Sequence, residues 1–153
     1  MKTKTHTYLR WLIRRDMPMI MDIENESFSD PWSEKEFIQH ARKSNGAGMV
    51  VEVKNEVVGY MVYELQQSEI KLLSFAVHPK HRRGGAGRAL LERLICKLDA
   101  SKRNRISVVV RERNLEAQLF LRNIGFLCTQ VLNNYYDNVT EDAYMMEYFI
   151  GSI

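Results

Sequence analysis

The chain has 153 residues, enough for one domain with a substantial core, and its 45% hydrophobic and 27% charged residues exclude a disordered segment. A net charge of +3 over 22 basic and 19 acidic residues does not by itself mark a nucleic-acid binder. No apolar run reaches the roughly 18 residues of a membrane span, and "MKTKTHTYLRWLIRR" has no long apolar stretch followed by a small-residue cleavage site, so a cytoplasmic protein without membrane contact is the expectation.

In chain order, "HTYLRWLIR" alternates loosely and reads as a first strand. "RDMPMIMDIENESF" places Met17, Ile20, Met21 and Ile23 at helical spacing. "SEKEFIQHARK" predicts a second helix, with Ser33 as N-cap and Glu36 three residues on as its capping-box partner. Between these helices "SFSDPWS" is a loop broken by Pro31. "GMVVEVK", "EVVGYMVYELQ" and "EIKLLSFAVH" are three strands in an antiparallel meander, the first two joined at "KNE". A helix follows from Ala86, with Leu90, Leu91, Leu94, Ile95 and Leu98 on one face. Then come a strand in "RISVVVRER", a helix in "NLEAQLFLRNI" ended by Gly125, a strand from Phe126 and a last strand in "EDAYMMEYFI". Strands mixed with helical crossovers predict an α+β, or mixed α/β, domain with a partly antiparallel sheet. Cys96 and Cys128 sit among apolar neighbours with no CxxC or histidine spacing, which predicts buried free thiols.

The stretch "VHPKHRRGGAGRALLERLICKL" passes from a strand end through a basic and glycine-rich loop into a helix. Glycines at a helix N-terminus leave backbone N–H groups facing the positive end of the helix dipole, which is an anion site. Arg82, Arg83 and Arg88 add fixed positive charge. A P-loop requires Gly-Lys followed by Ser or Thr, and Gly87-Arg88-Ala89 does not supply it. A dinucleotide fingerprint beginning at Gly85 and Gly87 meets Leu90 where Gly or Ala is required.

Arg82-x-x-Gly85-x-Gly87, after a strand ending Ala76-Val77-His78-Pro79 and before Leu90-Leu91, resembles the acyl-CoA pyrophosphate loop of the GCN5-related N-acetyltransferase (GNAT) superfamily. The competing reading is a glycine-rich turn capping a core helix beside solvated arginines. Further landmarks extend the resemblance over nearly the whole chain. "VVVRERN" is similar to the fifth strand leading to an asparagine, here Asn114, and "AQLFLRNIGF" to the fourth helix. "NNYYDNVTEDAYMM" resembles the Tyr-Tyr, Glu-Asp-Ala and Met signature of protein N-terminal acetyltransferases, and "DPWSEKEF" the loop and second helix of the ribosomal-protein-alanine (RimI) type.

The resemblance implies one domain over 1–153 with a central, mostly antiparallel sheet of about seven strands flanked by about four helices. It implies acetyl transfer from acetyl-CoA, without a metal, to an amine, foremost a protein α-amino group such as that of a ribosomal protein. The four histidines show no ligand spacing of their own. Acetylation of a small amine such as a polyamine, and a CoA-binding regulatory module without turnover, are the alternatives. By the resemblance, Phe75, Ala76 and Val77 hold the thioester and pantetheine arm. Arg82, Arg83, Gly84, Gly85, Ala86, Gly87 and Arg88 wrap the pyrophosphate, and Asn114 contacts the CoA arm.

Acetyl transfer needs an unprotonated amine, a hydrogen-bond donor to the reacting carbonyl oxygen and a proton for the departing thiolate. The RimI pattern has a glutamate base where this chain has Val109, and a tyrosine acid where it has Leu121; neither residue moves a proton. Glu26, at the end of the first helix, matches a functional glutamate of the eukaryotic and archaeal enzymes, and reads either as the base or as a solvated helix-end carboxylate. Tyr136 is the candidate proton donor and Tyr135 a candidate lining of the acceptor groove, against packing as the alternative. Phe28 and Trp32 read either as contacts to the acceptor's first residues or as a hydrophobic staple between the helices.

Overall fold

The computed structural model describes residues 6–136 and 141–151; Asp137–Thr140, within the tyrosine and Glu-Asp-Ala stretch, and the extreme ends of the chain lie outside them. Strand β1 (Thr7–Trp11) leads through a 3₁₀ turn (Arg14–Asp16) into α1 (Met17–Ser27). Pro18 sits in the first turn of α1, where a missing N–H leaves no bond unmade. Helix α2 (Glu34–Arg42) starts on the expected capping box. Ser33 Oγ accepts the Glu36 N–H at 3.1 Å and Glu36 Oε1 accepts the Ser33 N–H at 3.2 Å.

Strands β2 (Gly46–Val53) and β3 (Glu56–Leu65) form an antiparallel hairpin. Its two turn residues, Lys54 and Asn55, both have positive φ (52° and 67°), the backbone that a tight two-residue turn between twisted strands requires. Then come β4 (Glu69–Val77), a 3₁₀ turn (Pro79–His81), α3 (Ala86–Ile95), β5 (Arg105–Arg111), α4 (Leu115–Ile124), β6 (Leu127–Leu132) and β7 (Ala143–Phe149). The sheet order is β1-β2-β3-β4-β5-β7-β6. β4 and β5 run parallel, while β1–β2, β2–β3, β5–β7 and β6–β7 are antiparallel. This is the mostly antiparallel α+β arrangement that the element order implies, with seven strands and four α-helices among the described residues.

Two compact units make up the chain, Met1–Glu64 with Leu73–Cys96, and Leu65–Leu72 with Lys97–Ile153. In the first, Met17, Ile20 and Ile23 of α1 and Phe37 of α2 pack with Val50, Tyr60, Val62 and Ala76 in one buried cluster. β3 is buried without interruption from Val57 to Glu64, the signature of a strand covered on both faces. Leu90, Leu91 and Leu94 of α3 are fully buried, and α3 lies against β1 and β2. In the second unit Ile106, Leu121, Phe126, Ala143 and Met146 are buried.

Both cysteines are free, as the sequence predicts, but both are exposed rather than buried. Cys96 is the C-cap of α3, which ends at Ile95, short of the Leu98 the apolar stripe predicts, and Cys128 lies on β6, the sheet's edge strand, where residues 127–131 are all exposed. Apolar neighbours in sequence do not bury a residue on an element that has no covering partner.

Candidate active site

The first unit carries the strand, loop and helix of the glycine-rich stretch. Near the end of β4 the Ala76 carbonyl faces β3, since a Cβ on Gly59 would lie 3.0 Å from it, and the His78 N–H donates to Val58 O at 2.7 Å. Strand alternation therefore turns the main-chain groups of Phe75 and Val77 away from β3. The ladder of β4 with β5 runs from Glu69 to Leu72, so Phe75, Ala76 and Val77 lie beyond it.

Arg82 braces the start of the loop. Its Nε donates to Val77 O at 2.9 Å and its Nη2 to Ser27 Oγ at 3.3 Å, tying the loop to β4 and α1. Arg83 (φ 66°) and Gly85 (φ 93°) both take the left-handed conformation, which turns successive N–H groups toward one side. Gly85 is the N-cap of α3 and has no side-chain cap, and beyond its own chain neighbours nothing lies within 4 Å of where its Cβ would be. The first amides of α3 thus lack intrahelical acceptors and open onto free space, at the positive end of the helix dipole. Arg83 and Arg88 are exposed beside them, and Arg88 Nη1 lies 3.8 Å from Glu92 Oε1. Converging N–H groups, two available guanidinium groups and room for a bulky anion are the donor set that a diphosphate requires.

At the end of α1, Glu26 Oε2 lies 3.7 Å from His78 Nε2. His78 Nδ1 accepts the Lys80 N–H at 3.1 Å, so the neutral imidazole carries its proton on Nε2, facing Glu26. Glu26 is the more open of the pair, its side chain 56% exposed against 24% for His78. Phe28 packs partly buried against the α1–α2 core cluster. Trp32 stacks on His40 with centroids 4.5 Å apart and meets the edge of Phe37 at 5.0 Å. Both brace the junction of α1 and α2.

One residue of this region escaped the sequence reading. Glu24 is 2% exposed, and its carboxylate accepts hydrogen bonds from Tyr60 Oη, from Ser74 Oγ at 3.3 Å and from the Trp32 N–H at 2.9 Å. Burial, reinforced by the adjacent Glu24 carboxylate, pushes the Tyr60 phenol far above its ordinary pKa, so it remains a donor. A signal was present in the sequence, because Glu24 stands seven residues after Met17 on the apolar face.

In the second unit Asn114 caps α4, its Oδ1 accepting the Ala117 N–H at 3.1 Å. Val109 pairs with Met145 of β7 and Leu121 is buried in the core of α4. The Tyr136 ring lies under the Arg111 guanidinium, 3.8 Å from centroid to Cζ, and edge-on to the exposed Tyr135 at 5.0 Å. Burial raises the Tyr136 phenol above its usual value of 10.0 despite the opposing pull of Arg111, so it is protonated at neutral pH. Arg111 is itself fixed by Glu141, at 2.9 Å, which also accepts the Arg113 N–H at 3.2 Å. This arginine–glutamate anchor, thirty residues apart in sequence, is the second feature the sequence reading missed.

The profile of the Acetyltransferase (GNAT) family matches residues 17–126. The chain belongs to the GNAT acetyltransferase family. Among GNAT relatives, the chain is 30% identical over 135 residues to a [ribosomal protein bS18]-alanine N-acetyltransferase of Salmonella typhimurium, covering 86% of this chain and 89% of that one. It is 29% identical over 144 residues to an N-alpha-acetyltransferase of Sulfurisphaera tokodaii, covering 86% of each. The crystal structure of the ribosomal-protein-S18-alanine N-acetyltransferase from Escherichia coli superposes with a TM-score of 0.83 at 28% identity, over 97% of this chain and 96% of that one. As in the sequence reading, this GNAT chain has Val109 and Leu121 where side chains able to move a proton were expected. Among the described residues no helix is long and apolar enough to cross a membrane, and no group of three or more His, Cys, Asp or Glu is placed to hold a metal ion.

Proposed function

We propose that this GNAT chain is an acetyl-CoA-dependent N-acetyltransferase, one domain over residues 1–153, that acts in the cytoplasm on a protein N-terminal α-amino group, with a ribosomal protein as the leading acceptor. The observation that carries the acceptor class is the likeness, across 86% of the chain, to relatives named for acetylating the bS18 alanine and α-amino groups.

Bound acetyl-CoA supplies a thioester-activated acetyl group and a thiolate leaving group. The N-terminus of α3 and the Arg83 to Arg88 loop hold its diphosphate, with Arg82 keeping the loop in place. The Val77 N–H, directed away from β3, donates to the carbonyl oxygen of the acetyl group. Asn114 meets the CoA arm. Glu26 takes the proton of the acceptor ammonium, and the His78 Nε2–H beside it faces the Glu26 carboxylate. Tyr136, neutral and protonated, returns a proton to the thiolate. Phe28, Trp32 and Tyr135 line the way in for the first residues of the acceptor. An α-amino group titrates near 7.7–8.0, so a weak, solvated base suffices and the loss of a strong one at Val109 is tolerated.

A CoA-binding module without turnover is the second reading, favoured by Val109 and Leu121. The deciding experiment offers acetyl-CoA and short peptides differing in their first residues, alongside spermidine, and reads the mass of the acetylated product. Mass is the right readout because exposed Cys96 and Cys128 react with thiol reagents. Acetylation of a subset of peptides is the expected outcome. Acetylation of spermidine alone moves the acceptor to small amines, and acetyl-CoA binding with no product from any acceptor favours the module.

A further inference from the structure

Glu24 is a charged side chain in a place built for an apolar one. Met17, Ile20 and Ile23 occupy the same face of α1 and are almost wholly buried. Leucine at position 24 would complete that face without the cost of taking a carboxylate out of water. What the carboxylate adds is acceptor capacity, and the structure uses it in three directions. Tyr60 on β3 and Ser74 on β4 donate to Oε1, and the backbone N–H of Trp32 donates to Oε2. The first two donors stand in the sheet, Ser74 immediately before the candidate thioester residue Phe75. The third belongs to the segment between α1 and α2, whose residues Ser29 to Pro31 are exposed and which is otherwise held by the rings of Phe28 and Trp32.

We propose that Glu24 is a positioning residue that fixes the Phe28–Trp32 segment in the shape that receives the first residues of the acceptor. This rests on the acceptor reading above for what the segment does, and on the bond from the Trp32 N–H to a carboxylate held by Tyr60 and Ser74 for what fixes it. Glu24 touches neither reactant. Its carboxylate acts through Trp32, and two hydroxyl groups from the sheet keep it aimed there.

Two variants separate positioning from packing. Glu24→Leu keeps the apolar face filled and removes every acceptor. Glu24→Gln keeps an oxygen for the Trp32 N–H, and its amide can donate to Tyr60 and Ser74, whose hydroxyls are able to accept. Loss of a hydrogen bond to a charged group corresponds to about tenfold or more. In Glu24→Leu, amide exchange of residues 28–33 should speed up by about tenfold and the KM for the acceptor peptide rise by a similar factor. Acetyl-CoA affinity should stay within about twofold and the melting temperature should fall, because the buried Tyr60 and Ser74 hydroxyls lose their acceptor, while Glu24→Gln should restore the exchange, the KM and the melting temperature to near wild type.

Unchanged exchange over 28–33 in Glu24→Leu overturns the proposal, as does an acceptor KM that stays at the wild-type value while protection is lost. Equal losses of acetyl-CoA and acceptor affinity overturn it too, since they mark a packing role. The wild-type protein gives an independent reading if Glu24→Leu does not fold. The Trp32 amide must exchange more slowly than those of Ser29 and Asp30, and equal rates overturn the anchor. Absence of peptide turnover by wild type, with acetyl-CoA binding intact, refutes the acceptor reading instead; the exchange data then decide by themselves whether Glu24 is the anchor.

Discussion

Glu24 and Glu26 stand two residues apart on α1 and occupy opposite environments, one sealed under Tyr60 and Trp32 and the other open to solvent beside His78. Two steps along a helix turn a side chain by about 200°, so one carboxylate faces the sheet and the other the solvent. A buried, fully bonded carboxylate is poorly placed to trade protons, and an accessible one next to an imidazole is well placed. Glu26→Gln should therefore lower kcat for the acceptor peptide by about tenfold at pH 7, below the usual range of general-base effects because the α-amino group needs little help. The deficit should shrink above about pH 8, where the acceptor loses its proton unaided, and acetyl-CoA affinity should be unchanged by calorimetry. Tyr136→Phe should show a lower kcat that is not recovered at high pH. Equal pH profiles for both variants would remove the division of roles. Glu26 was found by resemblance; Glu24 was visible only as a charge at an apolar position, which a single sequence marks as odd without saying what pairs with it.

Local chemistry made most elements legible. The Ser33–Glu36 box and the Lys54–Asn55 turn are signals carried within a few residues and lie where the sequence puts them, while the Leu90, Leu91, Leu94 stripe places α3, which ends at Ile95, short of the expected Leu98. Close approach between elements is a different matter. A Cβ on Gly59 would meet Ala76 O and Val51 Cγ1 at 3.0 Å and Val77 Cγ2 at 3.1 Å, so β3 can lie against the end of β4 only where a side chain is missing. Gly59→Val should lower the melting temperature and weaken acetyl-CoA binding together, because it displaces the strand that carries Val77. Gly85→Glu contrasts with it. Space around Gly85 is open, so stability should fall by only about 1 kcal/mol from the positive φ, while the added carboxylate at the helix N-terminus abolishes acetyl-CoA binding. Thermal melts and calorimetry on the two variants distinguish strand displacement from charge placed in the anion site. The cysteines show the limit of local reading, since exposure of Cys128 follows from β6 being the edge strand and not from its neighbours in sequence.

Across the molecule, each unit holds a carboxylate of low exposure on an arginine. Asp16 accepts two bonds from Arg10, each 2.8 Å, and the Ile13 N–H at 2.9 Å; Glu141 accepts from Arg111 and from the Arg113 N–H. Burial pushes both carboxyls up, and the bonds to arginine and backbone more than offset it, leaving both pKa values below the ordinary 3.8 and 4.5. A group whose folded pKa is depressed stabilises the fold above its unfolded value and loses that contribution as pH falls through the folded one. Stability should therefore be level in the neutral range and fall as pH drops below about 4. Asp16→Asn should be less stable than wild type at pH 7 and show a shallower acid loss by denaturant titration; parallel curves for the two proteins would refute the assignment.

The sequence by itself determined the helices and most strands, the glycine-rich start of α3 and the absence of proton-moving side chains at Val109 and Leu121, because periodicity, capping and residue type are properties of neighbours along the chain. Only the tertiary structure decided that Glu24 rather than Glu26 lies inside, that Glu141 fixes the Arg111 that covers Tyr136, and that Arg82 donates to Val77 and Ser27. Those partners come from strands and loops far apart in sequence, and the energy of a buried charge is set by the donors that folding brings to it.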